Sequence, residues 1–252
     1  MESSFREEVR TYLLSHEQFT QWSASHLWAM GISLLCIIFI PHLAKKYLNT
    51  QWQHRLGAAI GFSIAGAWIL WTILELCAGT FDVRRHLPLQ MCRFSNLAIV
   101  LVLVWKRQWW YEILYFWALA GMLQATLTPD LQEEFPHFMY FRYWIGHPGM
   151  ILAIVYATVV YGMRPWPRHI MKAMLALNAL LLVAIVVNLS IDANYLFICQ
   201  KPPTASLLDH LGPWPWYVLG AEFAALANFA LAYTPWLIMD RRVSLRTDKP
   251  AP

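Results

Sequence analysis

Two residues of this chain have the types needed for a nucleophile and a general base. Cys92 and His147 lie in separate apolar stretches of the sequence. The thiolate is the reactive form of cysteine, and a neighbouring histidine can favour it. A thiol activated in this way can carry an acyl group as a covalent intermediate. We therefore predict Cys92 and His147 as catalytic residues of an acyl transfer, although most free cysteines are inert, buried hydrophobic groups.

Other polar residues interrupt the apolar stretches at a similar depth. Counted from the outer ends of the stretches at about 1.5 Å per helical residue, Glu75, Gln124 and Asn188 lie level with the candidate pair, all roughly 6–9 Å deep. Polar side chains inside a membrane are costly and face the bundle interior. We therefore expect a polar cavity in the outer leaflet, with Glu222 somewhat deeper. A set of interhelical hydrogen bonds is the alternative explanation.

Several of these polar residues are candidate ligands for a membrane lipid. Asn96 or Gln124 would stabilise an oxyanion or hold a headgroup, and Arg93 or Arg142 would suit a phosphate. Arg93 needs a partner, for which Glu75 and a lipid phosphate are both candidates. The predicted substrate-binding residues are Gln90, Arg93, Asn96, Gln124, Glu75, Arg142 and Asn188.

The composition indicates the elements that must position these groups. Of 252 residues, 58% are hydrophobic and only 13% are charged, whereas soluble domains carry about 25% charged residues. This excludes an ordinary soluble protein and a disordered chain. A helix needs about 20 mostly apolar residues to cross a bilayer, and seven such stretches predict an all-α, polytopic bundle of seven transmembrane helices in a single domain, 1–252. They are 25–43, 56–79, 87–105, 110–128, 143–163, 170–191 and 214–239.

The basic residues predict the orientation of the bundle. They alternate between two sides along the chain, and the richer side belongs in the cytoplasm. This predicts an outer N-terminus with an amphipathic or surface segment, 1–24, a cytoplasmic tail, 240–252, and a multi-pass protein of the plasma membrane. The richer side holds Lys45, Lys46, Arg55, Lys106, Arg107, Arg164, Arg168, Lys172, Arg241, Arg242, Arg246 and Lys249. The other side holds Arg6, Arg10, Arg84, Arg85, Arg142 and Lys201.

Prolines predict two local features. Pro148 follows His147 directly and should kink or break the fifth span at that point. Pro88 should lie near the first turn of the third span, where a missing N–H is harmless. The long outer loop 192–213 could cover the bundle mouth, with a short helical turn over Ser206–Asp209.

Four other interpretations stay open from the residues alone. The first is a metal site formed by the outer histidines, but these lack the usual spacing of metal ligands. We therefore predict no metal, and we also predict no cofactor. A disulfide between Cys92 and Cys199, or between Cys77 and Cys92, would remove the nucleophile. An outward-facing protein that binds or transports a small solute without catalysis is the main alternative, and a structural role in an assembly is the last. No motif indicates binding of nucleic acid.

A set of motifs resembles a known family. They are Leu87-Pro-Leu-Gln-Met-Cys-Arg93, Leu123-Gln-Ala-Thr-Leu-Thr-Pro-Asp130, Phe135-Pro136 with His147, Asn194-Tyr195, Lys201-Pro202, Ser206-Leu-Leu-Asp209 and Leu211-Gly-Pro-Trp-Pro215. Together they resemble the YwaF-like bacterial integral membrane proteins, which are similar in turn to eukaryotic multi-span proteins implicated in phospholipid acyl transfer. The resemblance implies that Cys92 and His147 act together in acyl transfer. Members of the family often have histidine where this chain has Gln90.

Overall fold

The computed structural model describes residues 2–15, 17–202 and 207–247. Ser206, part of the predicted turn, and Lys249, part of the predicted tail, lie outside the described residues. The described residues form helices and no β-strand. The helices are α1 (Glu2–Leu14), α2 (Ala24–Tyr47), α3 (Thr50–Ala78), α4 (Met91–Leu103), α5 (Gln108–Trp117), a π-helical turn (Ala118–Met122), α6 (Leu123–Leu127), α7 (Phe138–Val159), α8 (Arg168–Ile191) and α9 (Trp216–Thr247), with 3₁₀ turns at Tyr195–Phe197 and Leu207–His210.

The all-α prediction is confirmed, because every predicted apolar stretch contains helix. Within the described part of the chain, α2, α3 and α8 are the three helices long and apolar enough to cross a membrane, and α4 is a shorter apolar helix. Large apolar side chains point outward from the bundle, among them Trp28, Leu189 and Phe223, each more than 70% exposed. Contiguous apolar surface of this kind is typical of contact with lipid.

Local signals in the sequence explain where α2 and α3 begin and end. The Ser23 hydroxyl accepts a hydrogen bond from the backbone N–H of His26, and the Asn49 side chain accepts one from Trp52. Side-chain oxygens of this kind satisfy the free N–H groups of a helix start. Gly79 ends α3 in the left-handed conformation, with φ at 70°, which glycine adopts without steric cost.

Two predicted features of the helices differ in the structure. Helix α4 begins at Met91 and not at residue 87, so Pro88 lies in the preceding loop and Gln90 is the extended residue before the helix. The cause is a tertiary contact, because the Tyr195 hydroxyl accepts a hydrogen bond from Leu87 N–H at 2.9 Å and holds the loop away from a helix. Helix α7 is not broken at Pro148 and continues to Val159.

The core forms around α7, which packs against α2, α3 and α4, while α5 packs against α4 and α8. Ile99, Leu114, Met150 and Tyr156 at its centre are fully buried. The predicted surface segment at the N-terminus contains α1, most of whose described side chains are exposed. Helix α1 contacts the beginning of α7, where Tyr12 stacks on His137 with ring centroids 4.6 Å apart.

Candidate functional site

The two predicted catalytic residues line one cavity. Cys92 on α4 and His147 on α7 both face a space of about 320 Å³ between α4, the π-helical turn, α7, α8 and α9. Cys92 is a free cysteine, and the residue is half-buried. Gln90 and Glu222 add polar groups to the wall. Most of the remaining wall is apolar and is formed by Met91, Met122, Ala125, Leu177, Leu181, Leu196, Phe197, Ile198, Leu208, Val218 and Ala221.

The ring of His147 is held in one orientation. Its Nδ1 lies 3.1 Å from the carbonyl oxygen of Tyr143, one helical turn earlier. Since a carbonyl can only accept, Nδ1 carries the proton and Nε2 keeps a free lone pair. The ring also stacks on Tyr143 with centroids 4.1 Å apart, and the Tyr143 hydroxyl donates to the carbonyl of Ala125 at 2.8 Å. This arrangement suits a residue that accepts a proton through Nε2.

Asn96 joins the two helices that carry the pair. In the amide orientation that satisfies its neighbours, its Nδ2 donates to the carbonyls of Cys92 at 3.3 Å and Gly146 at 3.0 Å. The close approach depends on Gly146, since a Cβ there would lie 2.8 Å from the side-chain amide of Asn96. Asn96 is 7% exposed. The structure thus brings Asn96 to the contact between α4 and α7, behind the cavity wall.

The two candidate arginines meet on Trp71 of α3. The guanidinium carbon of Arg93 lies 4.8 Å from the centre of the Trp71 ring, and that of Arg142 lies 4.4 Å from it. Arg93 also donates to the carbonyl of Arg85. The carboxylate of Glu75 has other partners, because it accepts hydrogen bonds from Trp71 Nε1 at 2.9 Å and from the Thr80 hydroxyl.

His86 lies beside this cluster, in the loop before α4. Its Nε2 is 4.0 Å from the Glu75 carboxylate, and its ring packs edge-on against Trp71. Burial lowers the pKa of His86 from its ordinary value, and the nearby Glu75 charge opposes this shift in part. His86 is therefore a neutral member of the cluster at neutral pH.

The loop after α8 covers one side of the cavity. Asn188 is buried, donates to the carbonyl of Tyr195 at 3.0 Å and accepts from its N–H at 2.8 Å. The Tyr195 hydroxyl donates to the Val83 carbonyl at 2.6 Å, and burial raises the pKa of this hydroxyl. The Gln90 side chain accepts from the N–H of Leu196 at 3.2 Å. Asn188 therefore positions the loop, while Gln90 both positions it and lines the cavity.

A smaller space of about 160 Å³ adjoins the cavity and shares Met91, Gly121, Leu177, Leu208 and Ala221 with it. Gln124 lines this second space. On α9 its wall contains the small residues Ala221, Ala224 and Ala225, together with Asn228 and Phe229. The second space therefore lies next to the cavity that holds Cys92.

The structure bears on two of the other interpretations. All four cysteines are free, so neither of the two possible disulfides is formed; they are Cys36, Cys77, Cys92 and Cys199. Over residues 2–15, 17–202 and 207–247, no group of three histidine, cysteine, aspartate or glutamate side chains could hold a metal ion.

Three residues of the site were not among the predicted ones. Tyr143 orients His147, and its position one helical turn earlier is a signal that the sequence does carry. Trp71 lies one helical turn before Glu75, but its contacts with the two arginines join separate elements, which the sequence does not show. Tyr195 belongs to the Asn194-Tyr195 motif, although its contact with the loop before α4 carries no sequence signal.

The family model named TMEM164 family matches residues 19–233, which include every residue that lines the cavity. The chain belongs to the TMEM164 family. A relative from Treponema pallidum (strain Nichols), described as an uncharacterized protein, is 25% identical over 187 residues, covering 73% of this chain and 76% of the relative. No solved structure matches the chain. The family and the long apolar helices together identify a membrane protein.

Proposed function

We propose that this protein is a membrane enzyme that transfers or hydrolyses the acyl chain of a lipid, with Cys92 as the nucleophile and His147 as the general base. One observation carries the proposal, namely that a free thiol and an oriented imidazole line the same mostly apolar cavity. The motif resemblance to proteins implicated in phospholipid acyl transfer supports the same chemistry.

The reaction follows from the two side chains. His147 Nε2 takes the proton of the Cys92 thiol, and the thiolate attacks the carbonyl carbon of a lipid ester. A C–S bond forms, the ester C–O bond breaks, and the leaving alkoxide receives the proton from His147. A second lipid hydroxyl then attacks the thioester while His147 accepts its proton. The new C–O bond forms, the C–S bond breaks and the proton returns to the thiolate. With water in place of that hydroxyl, the result is hydrolysis, and neither route needs a cofactor.

The character of the cavity favours a lipid over a small polar solute. Its wall is mostly apolar beyond the polar end formed by Gln90, Cys92 and His147. Such a wall stabilises an acyl chain through the hydrophobic effect, at about 25 cal/mol per Å² of apolar surface buried. Glu222 is hydrogen-bonded to Asn178 at 2.8 Å, so the deeper part of the cavity offers a polar solute few free groups.

The proposed enzyme is a single transmembrane domain with seven spans in a bacterial inner membrane. Its N-terminus is outside, because basic residues are more numerous on the side that holds the C-terminal tail. The ends of α3 and the beginnings of α4 and α7 then lie near the outer surface. This orientation brings the pair to the outer leaflet, near the level of lipid ester bonds.

An acyl-enzyme trapping experiment tests the function. The full chain with Cys36, Cys77 and Cys199 changed to Ser is purified in detergent and incubated with phospholipid carrying a radiolabelled acyl chain. We expect label on Cys92 that hydroxylamine releases, as it does from a thioester. Cys92→Ala should abolish the label, and His147→Ala should slow its appearance by about 10²- to 10⁴-fold, as expected for loss of a general base.

His210→Ala is the matched control, because His210 is an exposed histidine outside the cavity. It should label like the parent. Absence of label on Cys92 with every phospholipid tested, or equal labelling of the parent and the His147→Ala variant, would contradict the proposed function and favour solute binding or transport.

A further inference from the structure

Two positively charged side chains share one aromatic ring beside the candidate site. Arg93 on α4 and Arg142 on α7 both lie over Trp71 of α3, at 4.8 Å and 4.4 Å from the ring centre. Both arginines are half-buried. Like charges held together in a poorly hydrated environment repel each other, and an anion placed between them offsets this repulsion.

The described residues supply no anion that pairs with them. No ion pair joins either guanidinium to a carboxylate in residues 2–15, 17–202 and 207–247. Glu75, the nearby carboxylate predicted as a partner, is taken by Trp71 and Thr80. Glu133 acts on Arg142 through its charge, without an ion pair.

Arg142 has an unused donor. Its Nε is buried and has no hydrogen-bond acceptor among the described residues. A buried N–H without a partner costs about 1–3 kcal/mol, and more when the group is charged, so such atoms call for an explanation. A ligand oxygen would satisfy this donor and the charge at once.

We propose that Arg93 and Arg142, which both lie over the ring of Trp71, bind the phosphate group of a glycerophospholipid. Guanidinium groups present paired donors in a fixed plane, which matches the oxygens of a phosphate. This inference rests on the proposed function and assigns the residues that hold the headgroup of its substrate.

The location of the arginines fits a headgroup whose acyl chain enters the cavity. Arg93 follows Cys92 directly, so the two side chains leave α4 in directions about 100° apart. Cys92 faces the apolar cavity, and Arg93 faces Trp71. In a glycerophospholipid, only the short glycerol backbone separates the phosphate from the ester carbonyls. One lipid can thus hold its phosphate at the arginines and its ester at Cys92.

A binding experiment tests the inference without catalysis. The full chain carrying Cys92→Ala is purified in detergent, and its binding of short-chain phosphatidylglycerol, of diacylglycerol with the same chains, and of inorganic phosphate is measured by isothermal titration calorimetry. Arg93→Gln and Arg142→Gln are each expected to weaken phosphatidylglycerol binding by about tenfold or more, as for loss of a charge-assisted hydrogen bond. Diacylglycerol should bind more weakly than phosphatidylglycerol and equally well to all variants.

Arg84→Gln is the matched control, since Arg84 is an exposed arginine of the same outer region and loses the same charge. Arg93→Lys and Arg142→Lys retain the charge but lose the paired donors, and they serve if the glutamine variants do not fold. They should bind phosphatidylglycerol more weakly than the parent. Equal weakening by Arg84→Gln, unchanged binding in both arginine variants, or equally tight binding of inorganic phosphate alone would overturn the headgroup site. Because Cys92 is absent throughout, these outcomes are independent of acyl transfer.

Discussion

Asn188 holds the loop that covers the cavity, and its removal should open that loop. Its side chain makes hydrogen bonds of 2.8 Å and 3.0 Å with the N–H and carbonyl of Tyr195, and it is 3% exposed. Asn188→Ala removes both bonds. A net loss of about 1 kcal/mol for each hydrogen bond weakens closure of the loop by about 2 kcal/mol.

This loss should appear as faster chemical modification of Cys92. Leu196, Phe197 and Ile198 follow Tyr195 and line the cavity, so opening the loop exposes the thiol. A change of about 2 kcal/mol raises the open population by about thirtyfold, at 1.36 kcal/mol for each factor of ten. The rate is measured with a charged maleimide on protein that retains Cys92 as its only cysteine.

Ser190→Ala is the control on the same helix. Ser190 is exposed, and its hydroxyl donates to the Val186 carbonyl within α8 at 2.7 Å. Its labelling rate should match that of the parent. An unchanged rate in Asn188→Ala, or an equal increase in both variants, would refute the role of Asn188 in closing the loop.

Three further changes test other parts of the structure. Gly146→Val should push α4 from α7, because even a Cβ would lie 2.8 Å from the Asn96 amide; we expect about 1–3 kcal/mol of destabilisation, measured by thermal unfolding. The lowered pKa of His86 means that the unfolded chain binds its proton first as pH falls. Stability should therefore be full above the ordinary pKa of 6.5 and decline below it, and pH-dependent unfolding scans should show less decline in His86→Gln. Ala225→Leu should fill the second space and shift acyl transfer towards shorter chains, in an assay across chain lengths, whereas Ala227→Leu on the exposed face should not.

Much of the helical architecture follows from local sequence. Long apolar stretches with few charges predict helices that face lipid, and capping residues such as Ser23, Asn49 and Gly79 mark where those helices begin or end. The start of α4 could not be predicted in this way, because Tyr195 holds the preceding loop through a contact across 108 residues. The π-helical turn at Ala118–Met122 was not predicted either.

The sequence by itself determined the helical class and identified Cys92 and His147 as the pair worth testing, since apolar composition and residue chemistry are local properties. Only the tertiary structure decided which polar residues surround the cavity. Asn96 and Asn188 look like ligands in the sequence, yet both bind backbone groups. The physical reason is that a buried amide binds whichever donor or acceptor the neighbouring helix brings to it, and that neighbour is set by packing between distant parts of the chain.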